Sequence, residues 1–325
     1  MAAADPSSDA LNDQESELYD RQIRLWGVQA QKRMSSSKVL YAGFTGVCAE
    51  AAKNLVLAGI HATIQDHRAA TYADLGTNFF LTAEDVGKNR AASCQARLQQ
   101  LNNLAKVDAE ERSLEELEDA YFKQFTCICL SGAPLHQQKR IDGICRSAGV
   151  FLYVVESFGF YGYLMLDLGQ GFSYRKELGE NKGLSDPIPV AFPSIEEAVG
   201  APWSTLKNRW GPVSKVYALA QLMLEFEEKH GRRPGASDGD TMTSVAQQCL
   251  KRNGLPTDFI ASDETAVLCA QAQVEINPVC AVLGGILGQE VIKALSQKGT
   301  PAHNVFLFDG TTSEGKVMLT PPAAK

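Results

Sequence analysis

One stretch, VLYAGFTGVCAEAAKNLVLAGIHATIQDH from Val39 to His67, constrains the fold more than any other. Val39–Ala42 is a continuous apolar run, which suits a strand buried on both faces. Gly43 opens a turn, Gly46 to Ala58 has the composition of a helix, and Gly59 stops it. Ala62–Gln65 reads as the next strand, closed by Asp66. Two strands joined by one helix in so short a span are parallel, with a right-handed crossover.

A dinucleotide-binding turn wants glycine at its first, third and sixth positions. Here those positions hold Gly43, Thr45 and Cys48. Gly43 keeps the tight turn. Thr45 sets a β-branched side chain where backbone would approach a phosphate, and Cys48 is small enough to fit between helix and strand. Gly46 offers partial compensation, and Asp66 sits where an acid would bind ribose hydroxyls. The competing reading is a Rossmann-like scaffold in which Asp66 is a turn residue or a helix cap. Gly43, Gly46 and Asp66 are therefore the candidate nucleotide ligands of this unit, and spacing alone favours the scaffold.

The alternation continues. Helices are expected over Gly87–Leu101 and Leu135–Ala148, and strands over Phe125–Leu130 and Phe151–Glu156. With the first unit these predict an α/β fold with a doubly wound, mostly parallel Rossmann-like sheet. SFGFYGYLMLDLGQGFSY alternates and reads as a β-ribbon. Residues 170–212 are rich in glycine and proline and read as irregular. Amphipathic helices are expected over Lys215–Lys229 and Thr241–Asn253. EINPVCAVLGGILGQEVIKALSQKG is apolar nearly all round, so it reads as a buried helix, with Gly284 and Gly288 admitting close neighbours. A last strand is expected in NVFLFDG. Before the sheet, Glu17–Met34 reads as one helix, and residues 1–16 as a disordered acidic leader. The rest, 17–325, reads as a single domain with a variable insertion at about 170–260.

A net charge of −7 argues against nucleic acid as the main partner. The longest apolar run, Val279 to Gly288, is too short to cross a bilayer, so a soluble intracellular protein is expected. Eight scattered cysteines form no CxxC pair and the five histidines show no ligand spacing, so no metal site is assigned. Cys127 and Cys129 share one strand face and read as buried thiols. GxxxxGK[ST] and HExxH patterns are missing.

Five stretches together carry a resemblance: YDRQIRLWG (19–27), Val39–His67, VGKNRA (86–91), FGFYGY (158–163) and NPVCAVLGGILGQEVIKALS (277–296). They resemble the activating enzymes of ubiquitin-like modifiers, within the wider ThiF–MoeB family. More narrowly they resemble the smaller, non-thioester subunits of SUMO-activating heterodimers. The resemblance implies an adenylation fold paired pseudosymmetrically with a homologous one. The active half binds ATP and magnesium and adenylates the modifier, which then passes to a cysteine of the larger subunit as a thioester. It also implies residence in the nucleus, with the cytoplasm as a second compartment.

The departures imply which half this chain supplies. An active half has GxGGxG, and this chain has GFTGVC. Asn78, Phe79 and Phe80 stand where the family has an Asn–Arg–Gln stretch, Arg90 where it has a phosphate-neutralising lysine, and SGAP (131–134) where it has a magnesium-binding aspartate. The resemblance thus implies the inactive half, with ATP and magnesium bound by the larger partner. It implies one surviving role: Arg21 reaching across the dimer to the partner's ATP phosphates, with Arg24 assisting or packing. An arginine's planar, permanent charge suits phosphate oxygens; taken alone, without the resemblance, Arg21 reads as a solvated helix residue, the commoner fate of an arginine. The N-terminal helix and helix 277–296 are the expected pairing surface. Two rivals stay open: a self-sufficient homodimer of the MoeB or ThiF type, and the equivalent subunit for another ubiquitin-like modifier. An NAD-dependent oxidoreductase would need a cleaner fingerprint than GFTGVC.

Overall fold

A computed structural model describes residues 13–179, 183–206 and 213–321. The helices are α1 (Asp13–Leu18), α2 (Asp20–Trp26), α3 (Val28–Ser35), α4 (Gly46–Leu57), α5 (Arg90–Gln99), α6 (Asp119–Phe122), α7 (Leu135–Ala148), α8 (Ile195–Gly200), α9 (Lys215–His230), α10 (Gly239–Arg252), α11 (Ser262–Gln271) and α12 (Asn277–Ser296). The strands are β1 (Lys38–Ala42), β2 (His61–Gln65), β3 (Val107–Glu110), β4 (Cys127–Leu130), β5 (Phe151–Phe158), β6 (Tyr161–Asp167), β7 (Phe172–Tyr174), β8 (Ile188–Val190), β9 (Val305–Asp309) and β10 (Glu314–Met318).

Eight strands form one sheet in the order β10-β9-β6-β5-β4-β1-β2-β3. β3, β2, β1, β4 and β5 are parallel, and β6, β9 and β10 continue it antiparallel. Alternate strand residues feed two cores, as the two-residue period of a strand requires. Val39, Tyr41, Ile64, Cys127 and Cys129 face α4, α5 and α12, whereas Leu40, Ala42, Ile128 and Leu130 face α7, α9 and α10. The expected doubly wound α/β sheet is therefore present, and Cys127 and Cys129 lie buried on one face.

α12 packs along α4. A Cβ on Gly284 would lie 2.5 Å from that of Glu50 and 2.9 Å from the Val47 carbonyl oxygen, so this glycine is required for the approach. Gly288 is looser, with Asn54 no nearer than 3.6 Å. The full 20 residues of α12 are long and apolar enough to span a bilayer, which the shorter run Val279–Gly288 did not suggest, but most of the helix is buried in this fold.

Several elements depart from expectation. Glu17–Met34 is not one helix: Tyr19 turns its ring into the core and Gly27 takes φ +87°, which separates α1, α2 and α3. Residues 13–16 of the expected leader belong to α1, and 1–12 lie outside the described residues. Helix α5 begins at Arg90 because Gly87 adopts φ +86° and the Asn89 side chain caps the amide of Ala92. The segment 170–212 contains β7, β8 and α8, the last started by a Ser194–Glu197 capping box; 180–182 and 207–212 lie outside the described residues. NVFLFDG is not the last strand, since β10 follows it as the sheet's edge.

Candidate functional site

The strand order reverses between β1 and β4, so the crevice at their carboxyl ends is where an open α/β sheet binds ligands. GFTGVC turns from β1 into α4 at this point. Gly43 has φ +81°, and a Cβ there would lie 1.9 Å from the carbonyl oxygen of Ser131 at the end of β4. Close approach of that neighbouring backbone is what demands this glycine.

The first four amides of the turn are already taken. Gly43 N donates to the Gln65 backbone and side-chain oxygens (2.9 and 3.2 Å), Phe44 N to Asp66 Oδ2 (2.8 Å), and Thr45 N to the Gly43 carbonyl (3.0 Å). Gly46 N, the first amide of α4, donates to Glu275 Oε2 at 3.0 Å. A phosphate site works by offering unpaired amides at a helix amino end, and here none of these four is offered. Gly46 is required by packing, since its Cβ would meet that of Thr77 at 2.6 Å.

Asp66 is equally committed. Its carboxylate receives Phe44 N, Arg68 N (3.0 Å), Arg68 Nε and Nη2 (3.0 and 3.1 Å) and Arg90 Nε and Nη2 (2.9 and 2.5 Å). Those six donors exceed the roughly four lone-pair positions of a carboxylate. Burial alone would raise its pKa, but the Arg90 charge and the Arg68 fork overcome that and hold it at about 2. Arg90 is itself buried, and its other arm reaches Asp74 Oδ1 at 2.6 Å. Asp66 thus acts through an Asx turn and an internal ion-pair network, as in the scaffold reading. Arg68 lies across the crevice, its guanidinium nitrogens 3.2 and 3.3 Å from where a Cβ of Gly132 would stand.

The residues aligned with catalytic positions are absorbed in the same way. Asn78 Nδ2 contacts the Phe44 carbonyl (3.4 Å), Phe79 is exposed beneath Lys53, and Phe80 packs on Phe44. Past β4, the Ser131 hydroxyl bonds that of Thr45 (3.0 Å) and Gly132 N donates to Glu156 Oε1 (2.6 Å). The other oxygen of Glu156 is held by Arg233 at 2.8 Å. Among the described residues no three His, Cys, Asp or Glu side chains gather to hold a metal. The crevice fits a nucleotide with magnesium poorly: the amides of Gly43 to Gly46, the acid Asp66 and the cations Arg68 and Arg90 are bound within the chain.

The ThiF family profile matches residues 19–325. The chain belongs to the ThiF family. Proteins named SUMO-activating enzyme subunit 1 are similar along almost their whole length. The one from Danio rerio is 33% identical, covering 94% of this chain and 95% of that protein. The Homo sapiens protein is 32% identical over 99% and 100%, and the Dictyostelium discoideum protein 33% over 98% and 97%. The crystal structure of selenomethionine PaaA superposes with a TM-score of 0.55 at 15% identity, covering 97% of this chain and 78% of that chain, a likeness of fold.

Within this ThiF fold, Arg21 and Arg24 stand apart from the crevice. Both are exposed on α2. That helix rests on the carboxyl end of α4: Gln22 Nε2 donates to the Leu57 carbonyl (3.4 Å), and Asn102 Nδ2 donates to the buried Tyr19 hydroxyl (2.8 Å) beside Gly59. The 12 residues of α4 separate this end from the GFTGVC turn by about 18 Å. That exceeds the reach of an arginine side chain, so neither residue serves its own crevice. Arg24 pairs with Asp20 (3.0 Å), whereas Arg21 has no ion pair or hydrogen bond among the described residues. Leu18 and Leu25 flank them, both more than half exposed.

Sequence reasoning missed Glu275, which meets Gly46 across 229 positions of chain, and it missed Arg68. A lone acid before an apolar helix carries no spacing signal. Arg68, two residues after an acid that ends a strand, carries a faint one, because that spacing lets a side chain fold back onto its neighbour.

Proposed function

We propose that this chain is the smaller, non-thioester subunit of a heterodimeric SUMO-activating enzyme. ATP and magnesium are bound by a larger partner, and that partner's cysteine receives the modifier as a thioester. The observation that carries the reading is the commitment within the chain of the first four turn amides, Gly43 to Gly46, which takes them out of offer to a phosphate. The names and full-length similarity of the relatives support SUMO as the modifier.

In this reading Arg21 works in trans. α2 presents its guanidinium with no partner to satisfy among the described residues, and the exposed Leu18 and Leu25 supply apolar contact on either side. Val282 on the outer face of α12 and Leu57 at the end of α4 are exposed as well, and extend the pairing surface. Arginine's fixed fork suits the oxygens of a phosphate whose charge grows during adenylyl transfer. The complex works in the nucleus, with a cytoplasmic pool.

ATP–pyrophosphate exchange driven by SUMO tests the proposal on three samples: this chain alone, the partner alone and the mixture. Exchange is expected in the mixture and not in this chain alone. Exchange by this chain alone would establish the self-sufficient homodimer instead, and exchange driven by a different modifier would reassign the pathway.

A further inference from the structure

Asp142 on α7 and Asp167 at the end of β6 are two acids that the crevice does not use. They are 3% and 2% exposed, and their carboxyl groups are in contact. Asp167 is well supplied: Oδ2 receives Arg146 Nη1 (2.5 Å) and Oδ1 receives the amide of Gly169 (2.8 Å). Asp142 is not. Its Oδ2 accepts from the amide of Ile195 (2.9 Å), the first residue of α8, and its Oδ1 is buried with no donor among the described residues. Two further titratable groups bear on the pair. Glu197 of α8 acts on Arg146, and the Cys145 thiol of α7, pushed up by burial, stays neutral beside both acids. One guanidinium therefore serves two buried carboxyl groups, and it sits on Asp167.

We propose that Asp142 keeps its proton in the folded chain and donates it to Asp167, so that the pair forms a pH-sensitive brace between α7, β6 and the start of α8. Two ionised carboxylates only accept, and in a dry site they repel; one proton between them turns the contact into a hydrogen bond. Burial first, and then the Asp167 carboxyl, push Asp142 well above the ordinary carboxylate range, against the opposing pull of the Ile195 amide and Arg146. The brace joins segments far apart in sequence. Arg146 Nη1 also reaches the Phe192 carbonyl (3.3 Å), to which Gln170 Nε2 donates as well (3.0 Å), so α7 is tied to both ends of the β7–β8 ribbon. At higher pH the proton leaves to solvent and two charges face one guanidinium. Between an ordinary aspartate value near 4 and the midpoint of that loss, the folded chain holds one proton more than the unfolded chain, so stability falls as pH rises. The inference concerns this chain alone and does not depend on the proposed partner.

The test compares the full chain with Asp142→Asn, whose amide can donate to Asp167 and accept from Ile195 without titrating. The amides of Gly169 and Ile195, one bonded to each acid, are followed by NMR from pH 5 to 9, beside urea unfolding over the same range. In wild type both amides should shift with one shared midpoint above about pH 6, some two units over an ordinary aspartate. In Asp142→Asn neither should shift. The ratio of the wild-type to the Asp142→Asn unfolding constant should climb about tenfold per pH unit below that midpoint, the slope of a single proton. A wild-type chain with no such transition above about pH 6, a transition that persists in Asp142→Asn, or a flat ratio would overturn the inference. If Asp142→Asn does not fold, the wild-type amides decide: the lack of a shared transition above about pH 6 refutes it.

Discussion

Two pairs of arginines lie at opposite ends of α4, and their circumstances differ in every respect. At the carboxyl edge of the sheet, Arg90 and Arg68 converge on Asp66, and Arg90 also holds Asp74. At the other end, Arg21 and Arg24 stand in solvent on α2, and among the described residues only Arg24 is paired. The residue type is the same, but availability is not. A guanidinium meets a foreign phosphate most readily when no internal carboxylate has claimed it, and at the end of the molecule that looks like a nucleotide site both arginines are so claimed.

Arg90→Ala should have the largest effect, and it should be one of stability. It removes the shared partner of two carboxylates, one of them buried, a change that costs about 3–5 kcal/mol when the stranded charge stays inside. Urea unfolding of the chain measures the loss. Adenylation by the complex, assayed cold where the variant is folded, should stay within a few fold of wild type. A stable variant with adenylation abolished would mean that the crevice handles nucleotide after all.

Arg21→Ala should show the reverse. No internal contact is lost, so stability should move by less than about 0.5 kcal/mol. Adenylation by the complex should fall about a hundredfold or more, equivalent to roughly 2.7 kcal/mol of transition-state stabilisation. Arg21→Lys should fall between, because it keeps the charge and loses the fork. Wild-type rates in Arg21→Ala would reduce α2 to a docking element.

Acid sharpens the contrast. Asp66 has a folded-state pKa depressed to about 2, against an ordinary value near 4. Its contribution is present above pH 4 and is lost as pH falls toward 2, an amount of about 2 kcal/mol. In Asp66→Asn that part of the acid limb should vanish, so the gap between variant and wild type should narrow as pH drops from 5 to 2. Parallel losses across this range would show that the network does not depend on an ionised Asp66.

What could be read from sequence follows the same physics. β1, β4 and β5 are apolar runs because helices cover both their faces, and they stand out in the sequence. β3 (VDAE) and β10 (EGKVM) are the two outer strands of the sheet, carry charges as edges commonly do, and left no comparable run. The turn and Asp66 were identifiable by local spacing. The partners that disarm them, Arg90 and Glu275, come from 24 and 229 positions away, and no local pattern encodes such a meeting. Tyr19 reads as one more residue of a long amphipathic helix until its burial beside Gly59 shows why the chain must break there.

The smallest effect belongs to Arg24. Its pair with Asp20 spans one helical turn, with side chains 78% and 53% exposed, a setting in which ion pairs contribute about 0.3–0.5 kcal/mol. Arg24→Ala should therefore change unfolding by no more than that. If Arg24 only anchors Asp20, adenylation should stay within about threefold of wild type, less than 1 kcal/mol. Asp20→Ala probes the same point from the other side. It releases the Arg24 guanidinium three residues from Arg21, on the same face of α2. If free charge on that face is all the partner's phosphates need, Asp20→Ala should partly restore activity to Arg21→Ala. If placement of the fork matters, the double variant should remain as slow as Arg21→Ala alone. We expect the second outcome, because a guanidinium nearly one turn further along α2 is displaced by about 4.5 Å, enough to lose a bidentate contact.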